Sequence, residues 1–136
     1  MDNRVILTPL KRIFNPKGDI YHAMKSSDIG YRGFGEAYFT TINKNEIKGW
    51  KKHNRMTLNL VVIVGRVKFV IYDEITRKFS TVILSPTNYQ RLTVNPQLYL
   101  AFKGLKENNI ILNIANLQHD PYEVENLDIL KINYEW

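Results

Sequence analysis

The chain has 136 residues and no cysteine. Disulfides, thiolate nucleophiles, iron–sulfur clusters and cysteine-bound zinc are therefore excluded. Long apolar runs are also missing. The longest, Leu58 to Val64, has the length of a strand and falls far short of the roughly 18 residues that a membrane-crossing helix needs. The N-terminal MDNRVILTPLKRIF shows no secretory signal pattern, so a cytoplasmic protein is expected. Internal repeats, low-complexity tracts and linkers are absent, and two full domains would need roughly 200 residues. Residues 1–136 read as a single domain. With 44% hydrophobic and 24% charged residues, the chain has the composition of a folded globular protein, not a disordered one.

The net charge of +6 is unevenly spread. Residues 1–68 carry 13 Lys or Arg against 5 acids, and residues 69–136 carry 6 against 8. A basic half beside an acidic half points to a local anion site. No basic run exceeds two residues and no nucleic-acid-binding signature is present, so a small phosphorylated ligand is the better match. For any single lysine, a solvated surface role is the simpler reading.

What the sequence has in quantity is β signal. Runs rich in Val, Ile, Thr, Phe and Tyr occur at Glu36–Ile42, Met56–Val64, Arg66–Tyr72, Phe79–Leu84, Tyr89–Val94, Leu98–Lys103 and Ile110–Asn116. Turn-forming residues separate them: Gly65, Asp73–Glu74, Ser85–Pro86, Asn95–Pro96 and Asn108–Asn109. A spacing of about ten residues per strand and turn predicts an all-β sandwich or barrel. Val67, Phe69 and Ile71 fall on one face of their strand, with Arg66 and Lys68 on the other. Met56–Val64 is apolar on both faces in its second half, which predicts a central strand. The tail from Glu123 to Trp136 reads equally as a short helix or a further strand.

Two polar clusters interrupt this pattern. In KGWKKHNRMTLNLVVIVG, Lys51, His53 and Arg55 share one face of an extended strand. In NIANLQHDP, an apolar strand runs out into His119 and Asp120. Each is either an exposed polar strand end or half of an acid–base or anion site. The second reading gains if both strands end at one barrel mouth, where small-ligand sites form.

The runs GEAYFTTINKNEIKGWKKHNRMTLNLVVIVGRVKFVIYD, RLTVNPQLYLAFKGL and NIANLQHDP resemble the dTDP-4-dehydrorhamnose 3,5-epimerase superfamily, more closely its short epimerase-related branch. The likeness spans about residues 14–127. It implies a cupin, a small jelly-roll barrel that commonly forms homodimers. It also implies action on a nucleotide-linked keto sugar, with a dTDP-linked 4-keto-6-deoxy sugar as the expected substrate, in surface polysaccharide synthesis.

The resemblance assigns roles residue by residue. Lys17 in NPKG and Lys48 in KGW stand where the family has diphosphate-holding arginines, and lysine keeps the charge but not the bidentate fork. Lys51 replaces the base histidine of R-G-x-H. His53 matches the second histidine of the related 3,4-ketoisomerases' R-G-x-H-x-H, with the same twelve-residue step to Gly65. His119 takes the place of the catalytic tyrosine of Y-x-P, and Leu100 that of the histidine in V-P-P-G-x-x-H-G-F. Of the positions where metal cupins carry ligands, only His53 is kept; the others are Lys51, Leu58 and Leu100. No metal and no cofactor are expected.

Proton abstraction beside a ketone needs a base, an acid and a cation near the developing oxyanion. The resemblance makes His53 the base, or Lys51 if burial strips its proton; otherwise Lys51 stabilises the enolate. His119 or Tyr38 returns the proton and Asp120 orients an imidazole. Asn59, Arg91 and Asn113 are candidates for sugar hydroxyls, Arg55 for the anion, and Trp50 or Tyr89 for stacking. Epimerisation at C3, C5 or both, 3,4-ketoisomerisation, and sugar-nucleotide binding without catalysis all remain open at this stage.

Overall fold

A period of two in buried side chains organises nearly every element. The computed structural model describes residues 2–136, and among these the regular structure is twelve strands and two single 3₁₀ turns. The strands are β1 (Val5–Pro9), β2 (Arg12–Ile13), β3 (Ile20–Tyr21), β4 (Glu36–Thr41), β5 (Ile47–His53) and β6 (Leu58–Val64). They continue with β7 (Val67–Asp73), β8 (Lys78–Leu84), β9 (Gln90–Val94), β10 (Tyr99–Gly104), β11 (Ile110–Ala115) and β12 (Val124–Asn126). The seven strands expected from the sequence are all present, with ends within two residues. Val5–Pro9 gave little signal because it is short and ends on proline, which suits its place at a sheet edge. The tail holds both of its expected alternatives, a strand (β12) and single helical turns at Pro121–Glu123 and Ile129–Lys131.

Two five-stranded antiparallel sheets face each other as a jelly roll. One has the order β1-β9-β6-β11-β4 and the other β12-β5-β10-β7-β8; β2 and β3 form a separate hairpin. Between the sheets lie Leu58, Leu60 and Val62 of β6, Val67, Phe69 and Ile71 of β7, and Leu92 of β9. Their strand neighbours point outward, and both outer faces are also covered in part.

Outside the second sheet the C-terminal tail lies over Trp50, Val70, Tyr99 and Ala101, contributing Leu127, Ile129, Ile132, Tyr134 and Trp136. Trp50 is buried there, its indole N–H donating to the Ile129 carbonyl at 3.2 Å. Trp50 packs into this cluster and also borders the cavity described below. Tyr89 is likewise occupied, edge-on to Tyr21 and donating to the His22 carbonyl.

Outside the first sheet the cover is the loop of residues 22–31, pinned by a buried polar network. Arg91 is 0% exposed. Its guanidinium donates to Asn59 Oδ1 (3.2 Å), the Ala23 and Ile29 carbonyls (both 2.9 Å) and the Asp28 carboxylate (3.2 Å). Thr93 also donates to Asn59 Oδ1, and Asn59 Nδ2 donates to the Gly30 carbonyl. Gly30 has φ +93°, and a Cβ there would lie 2.5 Å from Thr93 Oγ1, so the loop seats only with glycine at this point.

Truncating Trp50 removes the centre of the tail's packing and the partner of the Ile129 carbonyl. Trp50→Ala is expected to cost about 3–5 kcal/mol in urea unfolding, the range for large aromatic truncations in cores. Unfolding indistinguishable from the parent would mean that the tail contributes nothing to the fold.

Candidate active site

The sandwich opens along the edge where β4 faces β12, and a cavity of about 370 Å³ enters there. Its floor is apolar: Leu58, Leu60, Leu100, Phe102 and Ile111. Its polar groups divide by sheet. Lys48, Lys51 and His53 come from β5 of one sheet, and Tyr38, Thr40 and Asn113 from β4 and β11 of the other. Lys51 and His53 share a face because they are two residues apart on one strand, as their spacing predicts.

His53 is buried and hydrogen-bonded through Nδ1 to Oε1 of Glu123. The other carboxylate oxygen accepts from the backbone amides of Arg55 (2.9 Å) and Met56 (3.2 Å). Burial on its own would raise the Glu123 pKa. The hydrogen bonds from His53 and the two amides outweigh it and hold the carboxyl below its ordinary value. An ionised Glu123 fixes the tautomer: Nδ1 carries the proton, and Nε2 is left as the basic nitrogen.

Glu123 went unnoticed in the sequence, where Asp120 stands as the group to orient an imidazole. Asp120 instead caps the turn at Pro121–Glu123: its Oδ1 accepts from the Tyr122 amide (2.9 Å), and Oδ2 pairs with Arg55 (3.2 Å) at the exposed surface. The signal was readable, since Asp-Pro is a cap followed by proline at the first helical position. A cap is committed to backbone, which leaves Glu123 as the free acid of that segment.

Of the remaining candidates, Arg55, His119, Asn59, Arg91 and Lys17 fall outside the cavity, and Lys48 and Lys51 stand at its edge. The chain bends after His53, so Arg55 departs from the face of Lys51 and His53. His119 is exposed and does not line the cavity, so Tyr38 is the phenol or imidazole present on the facing sheet. Asn59 and Arg91 point to the outer face, where they hold the loop of residues 22–31. Lys17 is exposed between β2 and β3, away from the lining. Lys48 stands at the rim, its ammonium donating to the Thr41 carbonyl at 2.8 Å. Lys51 is exposed and has no ion-pair partner among the described residues.

Leu58 and Leu100 line the cavity together with His53. Among the described residues, no three His, Cys, Asp or Glu converge in a group able to hold a metal ion. A second cleft of about 360 Å³ opens at the opposite edge, between β1 and β8. Its buried acid, Asp73, is already taken up by Arg4, Thr76 and the Ile75 amide. Among the described residues, no helix is long and apolar enough to cross a membrane.

No protein-family model matches this chain, and no curated protein matches it in sequence. Solved structures do. A dTDP sugar isomerase from Desulfovibrio desulfuricans G20 superposes with a TM-score of 0.90 at 27% identity, over 97% of this chain and 90% of that one. The chain has the RmlC-like cupin fold. Two further cupins mark the range of that likeness. The sugar 3,4-ketoisomerase QdtA from Thermoanaerobacterium thermosaccharolyticum, solved with TDP, gives a TM-score of 0.81 at 19% identity over 92% and 89% of the two chains. The 3,5-epimerase RmlC from Legionella pneumophila Philadelphia 1, solved with dTDP-4-keto-L-rhamnose, gives 0.83 at 16% identity over 95% and 75%.

A group whose folded pKa is depressed stabilises the fold above its unfolded value, and the contribution is lost as pH falls through the folded value. Glu123→Gln is therefore expected to flatten the acid limb of stability against pH below about 4.5, the ordinary glutamate range. Urea midpoints from pH 3 to pH 7 test this, and an unchanged acid limb would show that the pair carries no pH-dependent stability.

Proposed function

We propose that this cupin is a sugar-nucleotide isomerase acting on a nucleotide-linked 4-keto-6-deoxy sugar, with dTDP as the expected nucleotide. The observation that carries the reading is the His53–Glu123 pair: an imidazole with a fixed tautomer, set in a cavity whose rim holds Lys48 and Lys51. The fold shared with a dTDP sugar isomerase at 27% identity supports it. The ketone acidifies the C–H bonds beside it. Nε2 of His53 removes one of these protons, and Glu123 stabilises the imidazolium that results. Lys51 supplies positive charge where the enolate oxygen develops, and Lys48 at the rim meets the diphosphate.

Two outcomes follow from where the proton returns. If Tyr38, across the cavity, delivers a proton to the opposite face, the reaction is epimerisation at C3, C5 or both. If His53 returns its own proton to the neighbouring carbon, the ketone and hydroxyl exchange places in a 3,4-ketoisomerisation. His53 and Tyr38 both line the cavity, so it holds the groups that either outcome needs.

The protein is further proposed to work as a cytoplasmic homodimer in the synthesis of surface polysaccharide. Tyr38 and Thr40 line the cavity, so Phe39 between them points to the outer face of its sheet, where it is 68% exposed. Leu112 lies directly opposite Phe39 on β11, and Phe34 and Ile29 are also exposed nearby in the chain. An apolar surface of this kind fits a second copy of the chain.

Incubation with dTDP-4-keto-6-deoxyglucose in D₂O tests the chemistry. Deuterium is expected beside the ketone by NMR, and His53→Gln should slow its uptake by about a hundredfold or more while dTDP still binds. No exchange at C3 or C5 in the parent protein, with binding intact, would leave a sugar-nucleotide-binding cupin without catalysis. Phe39→Glu is expected to convert a dimer into a monomer in sedimentation equilibrium; a parent protein that is already monomeric would overturn the dimer.

A further inference from the structure

Across the cavity from His53, Asn113 is 3% exposed and donates through Nδ2 to the Tyr38 hydroxyl oxygen at 2.9 Å. Its Oδ1 is the one buried side-chain polar atom among the described residues with no hydrogen-bond partner. Such an atom costs stability unless something supplies a donor. Tyr38 and Asn113 both line the cavity, which is where a donor for Oδ1 can enter.

With its oxygen occupied by the Asn113 amide, the Tyr38 hydroxyl keeps its proton free to donate. The pair then shows two things side by side: a donor on Tyr38 and an acceptor on Asn113. Rotating the amide by 180° reverses both. The phenol then donates to Oδ1, leaving a lone pair on Tyr38 and a free N–H on Asn113. In either arrangement one position donates and the other accepts, and the two exchange together.

We propose that Tyr38 and Asn113 form a reversible reader of an α-hydroxyketone, the unit in which a carbonyl oxygen accepts and the adjacent hydroxyl donates. The inference rests on the sugar-nucleotide reading above and deepens it, making Asn113 the specificity-determining residue for the hydroxyl beside the ketone. In one arrangement Tyr38 donates to the carbonyl and Asn113 accepts from the hydroxyl. In the other, the same two residues serve the isomer whose carbonyl and hydroxyl have exchanged places. That exchange is redox-neutral: the hydroxyl-bearing carbon and its oxygen lose one proton each, and the carbonyl carbon and its oxygen gain one each. An epimerase keeps its ketone in place and has no use for a reader that inverts. The pair therefore suits ketone–hydroxyl exchange.

The test is calorimetric binding of three probes: dTDP, dTDP-4-keto-6-deoxyglucose, and the 3-deoxy analogue that lacks the hydroxyl beside the ketone. It is made on His53→Gln protein to prevent turnover, with Asn113 intact, as Asn113→Leu, and as Asn113→Asp. With Asn113 intact, the hydroxyketone should bind about tenfold more tightly than its deoxy analogue. Asn113→Leu should bind the two sugars alike with dTDP affinity unchanged. Asn113→Asp, which keeps the acceptor oxygen, should retain the preference and guards against a leucine variant that fails to fold. A preference that survives Asn113→Leu, or no preference in the intact pair while the sugars bind, overturns the assignment. If neither dTDP nor either sugar binds protein that retains His53, the sugar-nucleotide reading fails and takes this one with it.

Discussion

One carboxylate holds the site in place. Glu123 accepts from His53 on one oxygen and from the Arg55 and Met56 amides on the other. The same side chain therefore sets the tautomer of the imidazole and the bend by which the chain leaves β5 for β6. The turn amides would otherwise be unpaired in a buried place, and the carboxylate would otherwise be an unpaired buried charge. Each removes the other's penalty, and His53 is oriented as a consequence.

The cavity built on this pair is asymmetric by sheet. One wall carries two lysines and an imidazole, while the other carries neutral hydrogen-bonding groups. Leucine and isoleucine between them make the floor apolar, which strengthens the buried hydrogen bonds beside it. The division follows from topology. β5, which carries the basic residues, sits one strand in from its sheet's edge, and β4 and β11 lie at the corresponding edge of the facing sheet. The polar groups able to meet a ligand are thereby gathered on one open side of the sandwich, while in the cleft at the opposite edge the buried acid Asp73 is already paired with Arg4.

The strands and the all-β class were legible because a buried face written every second residue is a strong signal over five to seven positions. The pairing of Lys51 with His53 was legible for the same reason. Arg55 obeyed that rule on paper and escaped it in space, because the strand stops at His53. Asn59 and Arg91 drew attention as polar residues among apolar ones. Their phase was the better guide: Asn59 alternates with Leu58 and Leu60, which face the core, so it faces out. What no local pattern contained was the Glu123–His53 contact, which joins positions seventy residues apart. Such a contact is fixed only when β12 pairs with β5.

The guanidinium of Arg91 has a consequence for how this chain can change over time. Surface loops ordinarily absorb insertions at little thermodynamic cost. The loop of residues 22–31 does not have that freedom, because Ala23, Asp28, Ile29 and Gly30 each meet a fixed partner on β9 or β6. Adding or removing one residue would shift several acceptors off a charge that cannot be neutralised by giving up its proton. Arginine at position 91 therefore works as a length gauge. Lineages that keep it are bound to keep the loop's residue count, and those that lose it are released to remodel the segment.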